Sequence, residues 1–260
     1  MERRNFEKKN YERRKPKENI IFGLHSVIEA IKADREIDKI LIQKGINKEA
    51  FIQLRDALTG KNYPLQYVPM EKINAMSDGN HQGVVAMISP ITYLNIETFI
   101  DEKIEKGEKP CILVLDRITD VRNFGAIART AECQGVDAIL IPSKGSATAT
   151  SDAIKTSAGA LNRIPVCKTD NLKNSLFYLQ QSGLRLVACT EKSSVPLYEV
   201  NLRGSVAIIM GSEEDGITSD LLNMSDIKAR IPMRGEISSL NVGVSAGMVL
   251  YEKLRQELHG

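Results

Sequence analysis

Short apolar runs separated by polar turns divide the chain into two blocks with different rhythms. In the first block Ile20–Phe22 leads into an apolar stripe at helical spacing over Leu24–Ile31. A strand is expected at Ile37–Ile42, a helix at Lys48–Leu58, a strand at Pro64–Val68, a short helix at Met70–Met76 and a strand at Gly83–Ile88. Such alternation predicts a small three-layer α/β domain. Pro90–Leu94 reads as a linker, and Ile96–Lys106 as a charged helix leading out of it.

The second block carries longer, unbroken apolar runs. Cys111–Leu115, Ala138–Ile141, Leu184–Ala188, Val206–Met210 and Ile227–Ile231 fit strands covered on both faces, as a parallel sheet requires. Helices are expected between and after them at Phe124–Gln134, Ser151–Leu161, Leu172–Gln181 and Val242–Leu258. The fold class is therefore α/β with a doubly wound parallel sheet, which binds ligands at the carboxyl ends of its strands.

With 260 residues and 42% apolar content the chain can fill one large core or two of ordinary size. No apolar run approaches the roughly 20 residues that span a bilayer, and the amino terminus is charged, so no membrane association is expected and the cytoplasm is the expected compartment. Cys111, Cys133, Cys167 and Cys189 form no C-x-x-C pair and read as reduced core residues; with His25, His81 and His259 they build no zinc-ligand spacing, so no metal is expected. Net charge is +2, made up of +4 on residues 1–18, which have almost no apolar side chain, and −2 on the remainder. That arm should be disordered when free, and it is able to neutralise several phosphates of a nucleic acid.

Three segments interrupt the apolar pattern with polar residues where loops meet helices. In IPMRGEISSLNVGVSAG (231–247), Ser238, Ser239 and Asn241 stand where a helix begins, positions that cap a helix or hold a ligand at its N-terminal dipole. In IIMGSEEDGI (208–217) an apolar strand runs into Gly211, Glu213 and Gly216. DRITDVRNFGAIARTAECQG (116–135) sets Asn123, Gly125 and Arg129 on a small-residue helix. A dinucleotide fold is the first explanation to test, but no G-x-G-x-x-G follows a strand and GSEEDGIT lacks the Lys-Ser/Thr ending of a P-loop. Glu213 and Glu214 oppose a pyrophosphate and tolerate a cationic ligand.

In that order and spacing the three segments resemble the signature motifs of the SpoU or TrmH family of RNA ribose 2'-O-methyltransferases, of the SPOUT class. The resemblance spans roughly residues 20 to 258. It implies a carboxy-terminal trefoil-knotted domain holding S-adenosylmethionine through Gly211, Ile231 and Leu240, and a polar catalytic set of Asn123, Arg129, Glu213, Ser239 and Asn241. An arginine with a pKa above about 12 is a reluctant base, so Arg129 is expected first to clamp the phosphate beside the reacting ribose; proton removal by it stays open. Asn123 and Arg129 lie about 120° apart on an ideal helix, so Asn123 is placed in the entry loop. Relatives read S-L-N-V-S-V-A in the third motif, whereas this chain has Gly243 at the second serine and Ser245 two residues later.

FGLHSVIEAI (22–31) and NHQGVVA (80–86) are similar to the ribosomal-protein-L30-like substrate-binding domain attached to many members. The implied organisation is a basic arm at 1–18, an RNA-binding domain at 19–90, a linker and helix at 91–108 and a methyltransferase domain at 109–260. His81 and Gln82 either face RNA or form a turn. The resemblance further implies a structured RNA substrate, with the ribose of a guanosine in 23S ribosomal RNA first and transfer RNA as the competitor, and a noncatalytic RNA-binding paralogue as the alternative. It also implies a homodimer through the knotted domain, with the first-motif helix near the partner's cofactor.

Overall fold

The structure, a computed structural model, describes residues 19–77, 79–237 and 239–259. The arm at 1–18 and Ser238 lie outside the described residues. The chain divides into two compact units, the first ending at Ile88 and the second starting at Ser89.

In the first unit β1 (Ile20–Phe22), β2 (Ile37–Gln43), β3 (Leu65–Val68) and β4 (Val84–Ile88) form a mixed sheet in the order β1-β4-β2-β3. β4 runs antiparallel to both β1 and β2, while β3 joins β2 in parallel. Alternate residues of β2 point to opposite faces: Ile40 and Ile42 pack with Val27, Ile31 and Leu54 of α1 (Leu24–Lys32) and α2 (Lys48–Ala57), whereas Leu41 meets Ile73 of α3 (Met70–Asn74). Three layers result. His81 and Gln82 form a turn: the His81 Nδ1 accepts from the Gly83 amide at 3.0 Å, and the Gln82 Oε1 accepts from the Leu24 amide at 3.2 Å, closing the entry to α1.

The second unit opens with α4 (Ile96–Glu105) and builds a wholly parallel sheet from β5 (Cys111–Asp116), β6 (Ala138–Pro142), β7 (Val166–Thr169), β8 (Arg185–Cys189), β9 (Val206–Gly211) and β10 (Ile227–Ala229), in the order β10-β8-β9-β5-β6-β7. Its helices are α5 (Val121–Cys133), α6 (Ser151–Thr156), α7 (Leu172–Gln181), α8 (Ser219–Met224) and α9 (Val242–Leu258). One face, with Leu113, Leu115, Ile208 and Met210, is covered by Phe124 and Ile127 of α5 and by Ala246 and Val249 of α9. The other, with Ile112, Val114, Ala207 and Ile209, is covered by Ile100 of α4 and by Leu176 and Leu179 of α7. Burial on both faces explains the unbroken apolar runs.

Several expectations need correction. β7 and α8 were not anticipated: β7 has only four residues with two polar ones, and α8 is a turn and a half. The stretch assigned to the linker ends on the sheet, because the Leu94 amide donates to the Val166 carbonyl at 2.9 Å and its own carbonyl accepts from Lys168. The helix expected over 151–161 stops at Thr156, where Ala158 and Gly159 take positive φ values of 51° and 85° before a short 3-10 turn at Ala160–Asn162. Cys111 and Cys167 are buried as expected, but Cys133 is exposed at the end of α5. Among the described residues no helix is long and apolar enough to cross a membrane and no group of side chains could hold a metal ion.

Candidate active site

β8, β9 and β10 lie side by side, and because they are parallel their carboxyl ends open on one edge of the sheet. The loops leaving them enclose a cavity of about 360 Å³. Met210, Ile231 and Leu240 provide apolar wall, while the charged lining residues are Lys192 and the acidic Glu191, Glu213, Glu214 and Asp215, the last of them paired with Arg117. Such a lining suits a cation with a flat apolar part better than an anion. Burial pushes the thiol of Cys189, also in the wall, up to about 12, so it is a neutral group and no nucleophile.

A second cavity of about 230 Å³ borders the carboxyl end of β5. It is lined by Arg117, Thr119, Asp120, Asn123 and Gly145, and it shares Ser212 to Asp215 and Val242 with the first. The turn after β9 is thus a partition with a cavity on either side. Gly211 at its base has no room for a side chain: a Cβ there would lie 2.1 Å from the Gly216 carbonyl carbon. The turn closes by paired bonds between Ser212 and Gly216, whose backbones exchange N–H···O contacts of 3.2 and 3.0 Å.

Three of the expected polar residues meet at this partition. Asn241 caps α9, its Oδ1 accepting from the amides of Gly243 at 3.0 Å and Val244 at 3.3 Å. Its Nδ2 donates to Asn123 Oδ1 at 3.1 Å and to Glu213 Oε1 at 2.9 Å. The same Glu213 oxygen accepts from the Val242 amide at 3.3 Å. Glu213 therefore sits at the amino end of α9, where the helix dipole favours a negative charge. Ser239 lines the first cavity, as do Gly211, Ile231 and Leu240.

Asn123 is not in an entry loop. α5 begins at Val121, and Asp120 caps it by accepting from the Asn123 amide at 2.8 Å. Asn123 and Arg129 are both helical and hence point about 120° apart. Arg129 is exposed and lines neither cavity, so within one chain it stands apart from the other four. Gly125 packs closely against the chain's own α6: a Cβ there would lie 2.7 Å from the Thr156 side chain and 2.8 Å from the Ala153 carbonyl.

Sequence reasoning passed over Asp116 and Arg117. Asp116 is buried at the end of β5 and accepts from the Thr218 amide at 2.7 Å, and Arg117 reaches Asp215 at 2.9 Å. The signal was present: a charged pair directly ending an unbroken apolar strand at the ligand-binding edge.

Residues 110–251 match the SpoU rRNA Methylase family, and residues 20–94 match the RNA 2'-O ribose methyltransferase substrate-binding family. A Staphylococcus aureus protein assigned to the TrmH family of tRNA/rRNA methyltransferases is 36% identical over 241 residues, covering 92% of this chain and 96% of its own length. Among solved structures, an RNA 2'-O ribose methyltransferase superposes with a TM-score of 0.55 at 27% identity, over 92% of this chain and 88% of that one. An AdoMet-bound rRNA methyltransferase from Sinorhizobium meliloti shares the fold with a TM-score of 0.58 at 23% identity, over 91% of this chain and 86% of that one.

Proposed function

The chain belongs to the SpoU rRNA Methylase family, and on that footing we propose that it transfers the methyl group of S-adenosylmethionine to the ribose 2'-hydroxyl of a guanosine in 23S ribosomal RNA. One observation carries the reading: Asn241 donates to both Asn123 and Glu213, joining three distant segments at the partition between an acidic, partly apolar cavity and a second cavity.

The first cavity fits the cofactor's chemistry. Ile231 and Leu240 would hold the apolar adenine, the bare backbone at Gly211 would allow close approach, and the acidic lining would favour the cationic sulfur. The bound cofactor supplies a methyl group already activated by the sulfonium charge. Asn241 and Glu213 hold the third-motif turn against the second, which keeps the walls of the cavity in register. Gly243 lines neither cavity, while Ser245 lines the first, so the substitution of glycine for the relatives' serine leaves a hydroxyl on the cofactor side.

Arg129 enters from a second copy in this reading. α9, packed against α5, leaves Val244, Met248 and Tyr251 exposed by 52%, 44% and 60% on one helical side, an apolar stripe suited to a homodimer. There the guanidinium clamps the phosphate beside the acceptor ribose and stabilises the developing alkoxide. The unit ending at Ile88, matched to the substrate-binding family, grips structured RNA, and the arm at 1–18 adds phosphate contacts.

The test incubates the full chain with methyl-labelled S-adenosylmethionine and, in parallel, 23S ribosomal RNA and transfer RNA, followed by nuclease digestion and mass spectrometry. A 2'-O-methylguanosine in 23S ribosomal RNA is expected. Ribose methylation of transfer RNA alone reassigns the substrate, and RNA binding without cofactor consumption removes the enzymatic reading. Arg129→Ala is expected to lower turnover about 100-fold while leaving cofactor binding intact.

A further inference from the structure

At the end of β5 the backbone passes through Arg117 at φ 60°, a left-handed conformation that a residue with a side chain keeps only when its surroundings hold it. Its contacts show what does so. Nη1 donates to Asp215 Oδ2 at 2.9 Å, Nη2 donates to the Gly216 carbonyl at 3.1 Å, and Nε lies 3.4 Å from Asp116 Oδ1. The other Asp116 oxygen accepts from the Thr218 amide at 2.7 Å. Asp116, the last residue of β5, and Arg117 directly after it therefore grip the segment after β9 at Asp215, Gly216 and Thr218.

The turn is also held by the bonds of Glu213 to Asn241 and the Val242 amide and by those it makes within itself. Ser212 to Gly216 is a five-residue hairpin closed by its own backbone, with Glu213, Glu214 and Asp215 all polar and Asp215 mostly exposed. Ser212 to Asp215 nevertheless line both cavities, whereas Arg117 lines only the second. A planar guanidinium can bind a carboxylate and a carbonyl at once, which a lysine amine cannot do with the same fixed geometry.

We propose that Arg117 is a positioning residue that fixes the 212–216 partition and so governs cofactor affinity in the first cavity without touching the cofactor. The proposal rests on reading that cavity as the S-adenosylmethionine site. Glu213 gives it reach: the turn that Arg117 clamps also carries the carboxylate bonded to Asn241 and the Val242 amide, so loosening one end loosens the start of α9.

Two readouts on the full chain test it: backbone hydrogen–deuterium exchange without ligand, and calorimetric binding of S-adenosylmethionine, each for wild type, Arg117→Ala and Arg117→Lys. In Arg117→Ala, exchange over residues 212–218 should rise about tenfold, with a smaller rise at the start of α9 (242–244) and the rest of the 89–260 unit unchanged, and Kd should rise about tenfold. Arg117→Lys should recover only part of both. Wild-type exchange in Arg117→Ala overturns the proposal; so does faster exchange with unchanged Kd, and so does a uniform rise across the unit, which marks general destabilisation. A wild-type chain that fails to bind S-adenosylmethionine, with exchange in the turn still faster in Arg117→Ala, overturns the cofactor reading and the affinity claim while supporting the clamp.

Discussion

Both units pack a sheet between helices, but the polar cluster and the two cavities beside it belong to the second, and strand direction is the difference. In the first unit β4 runs against β1 and β2, so the loops after successive strands are split between opposite edges of the sheet. In the second all six strands run the same way, and the loops after β5, β8, β9 and β10 emerge together. The edges differ too. β3 leaves Leu65, Gln66 and Tyr67 exposed, a surface open to a partner, whereas the β7 edge is met by the backbone of Leu94. Convergence therefore follows from topology before any catalytic residue is chosen.

The contrast breaks most severely if α5 is not firmly anchored. Phe124 is fully buried between α5 and the parallel sheet, next to Asn123 in the site. Phe124→Ala should cost about 3–5 kcal/mol. Tyr67→Ala on the exposed edge of β3 should cost less than about 0.5 kcal/mol, as a surface change does. Chemical denaturation followed by circular dichroism measures both, and similar costs would mean that burial does not distinguish the two regions as described.

Two helix caps sharpen it at a smaller scale. Asn47 caps α2 in the first unit by accepting one bond, from the Glu49 amide at 2.8 Å. Asn241 caps α9 by accepting from two amides and also donates to Asn123 and Glu213. Asn47→Ala should cost about 1 kcal/mol and leave methylation unchanged. Asn241→Ala should cost about 2–3 kcal/mol and abolish measurable cofactor binding, because Glu213 and Asn123 lose their shared partner. Equal stabilities for the two variants would show that the bonds across the partition contribute nothing.

The same physics decides what was legible in the sequence. Strands buried on both faces write themselves as unbroken apolar runs, so β5, β6, β8 and β9 were readable from Cys111, Ala138, Leu184 and Val206 onward. β7 was not, because its pairing with β6 and with the Leu94 backbone supplies what Val166–Thr169 lacks in apolar content. Turn positions such as Gly211 and Asn241 were visible because each ends or begins a periodic segment. Their contacts were not: the bond from Asn241 to Asn123 joins residues 118 apart in sequence, and no local pattern encodes it. Arg117 was missed because a charged pair at a strand end looks like ordinary solvation until the turn it holds is in view.

Acid provides the mildest test of the difference. In α9 Glu252 accepts two bonds from Arg255, both at 2.8 Å, and one from the Gln256 amide nitrogen at 2.8 Å. Gln256, itself buried, accepts from the Leu202 amide and donates to the Val200 carbonyl, so the end of α9 is tied to the chain leading into β9. The Arg255 guanidinium holds the Glu252 carboxyl at about 2, below its ordinary 4.5. A depressed carboxylate stabilises the fold fully above the unfolded value, and that contribution is lost as pH falls from 4.5 through 2. The first unit has a counterpart in Lys61 and Asp34, but its aspartate is 73% exposed and solvent screens it. Melting temperature should therefore fall between pH 5 and pH 3 by more in wild type than in Glu252→Gln. Parallel melting curves for wild type and Glu252→Gln would place the acid-sensitive tie elsewhere than at the end of α9.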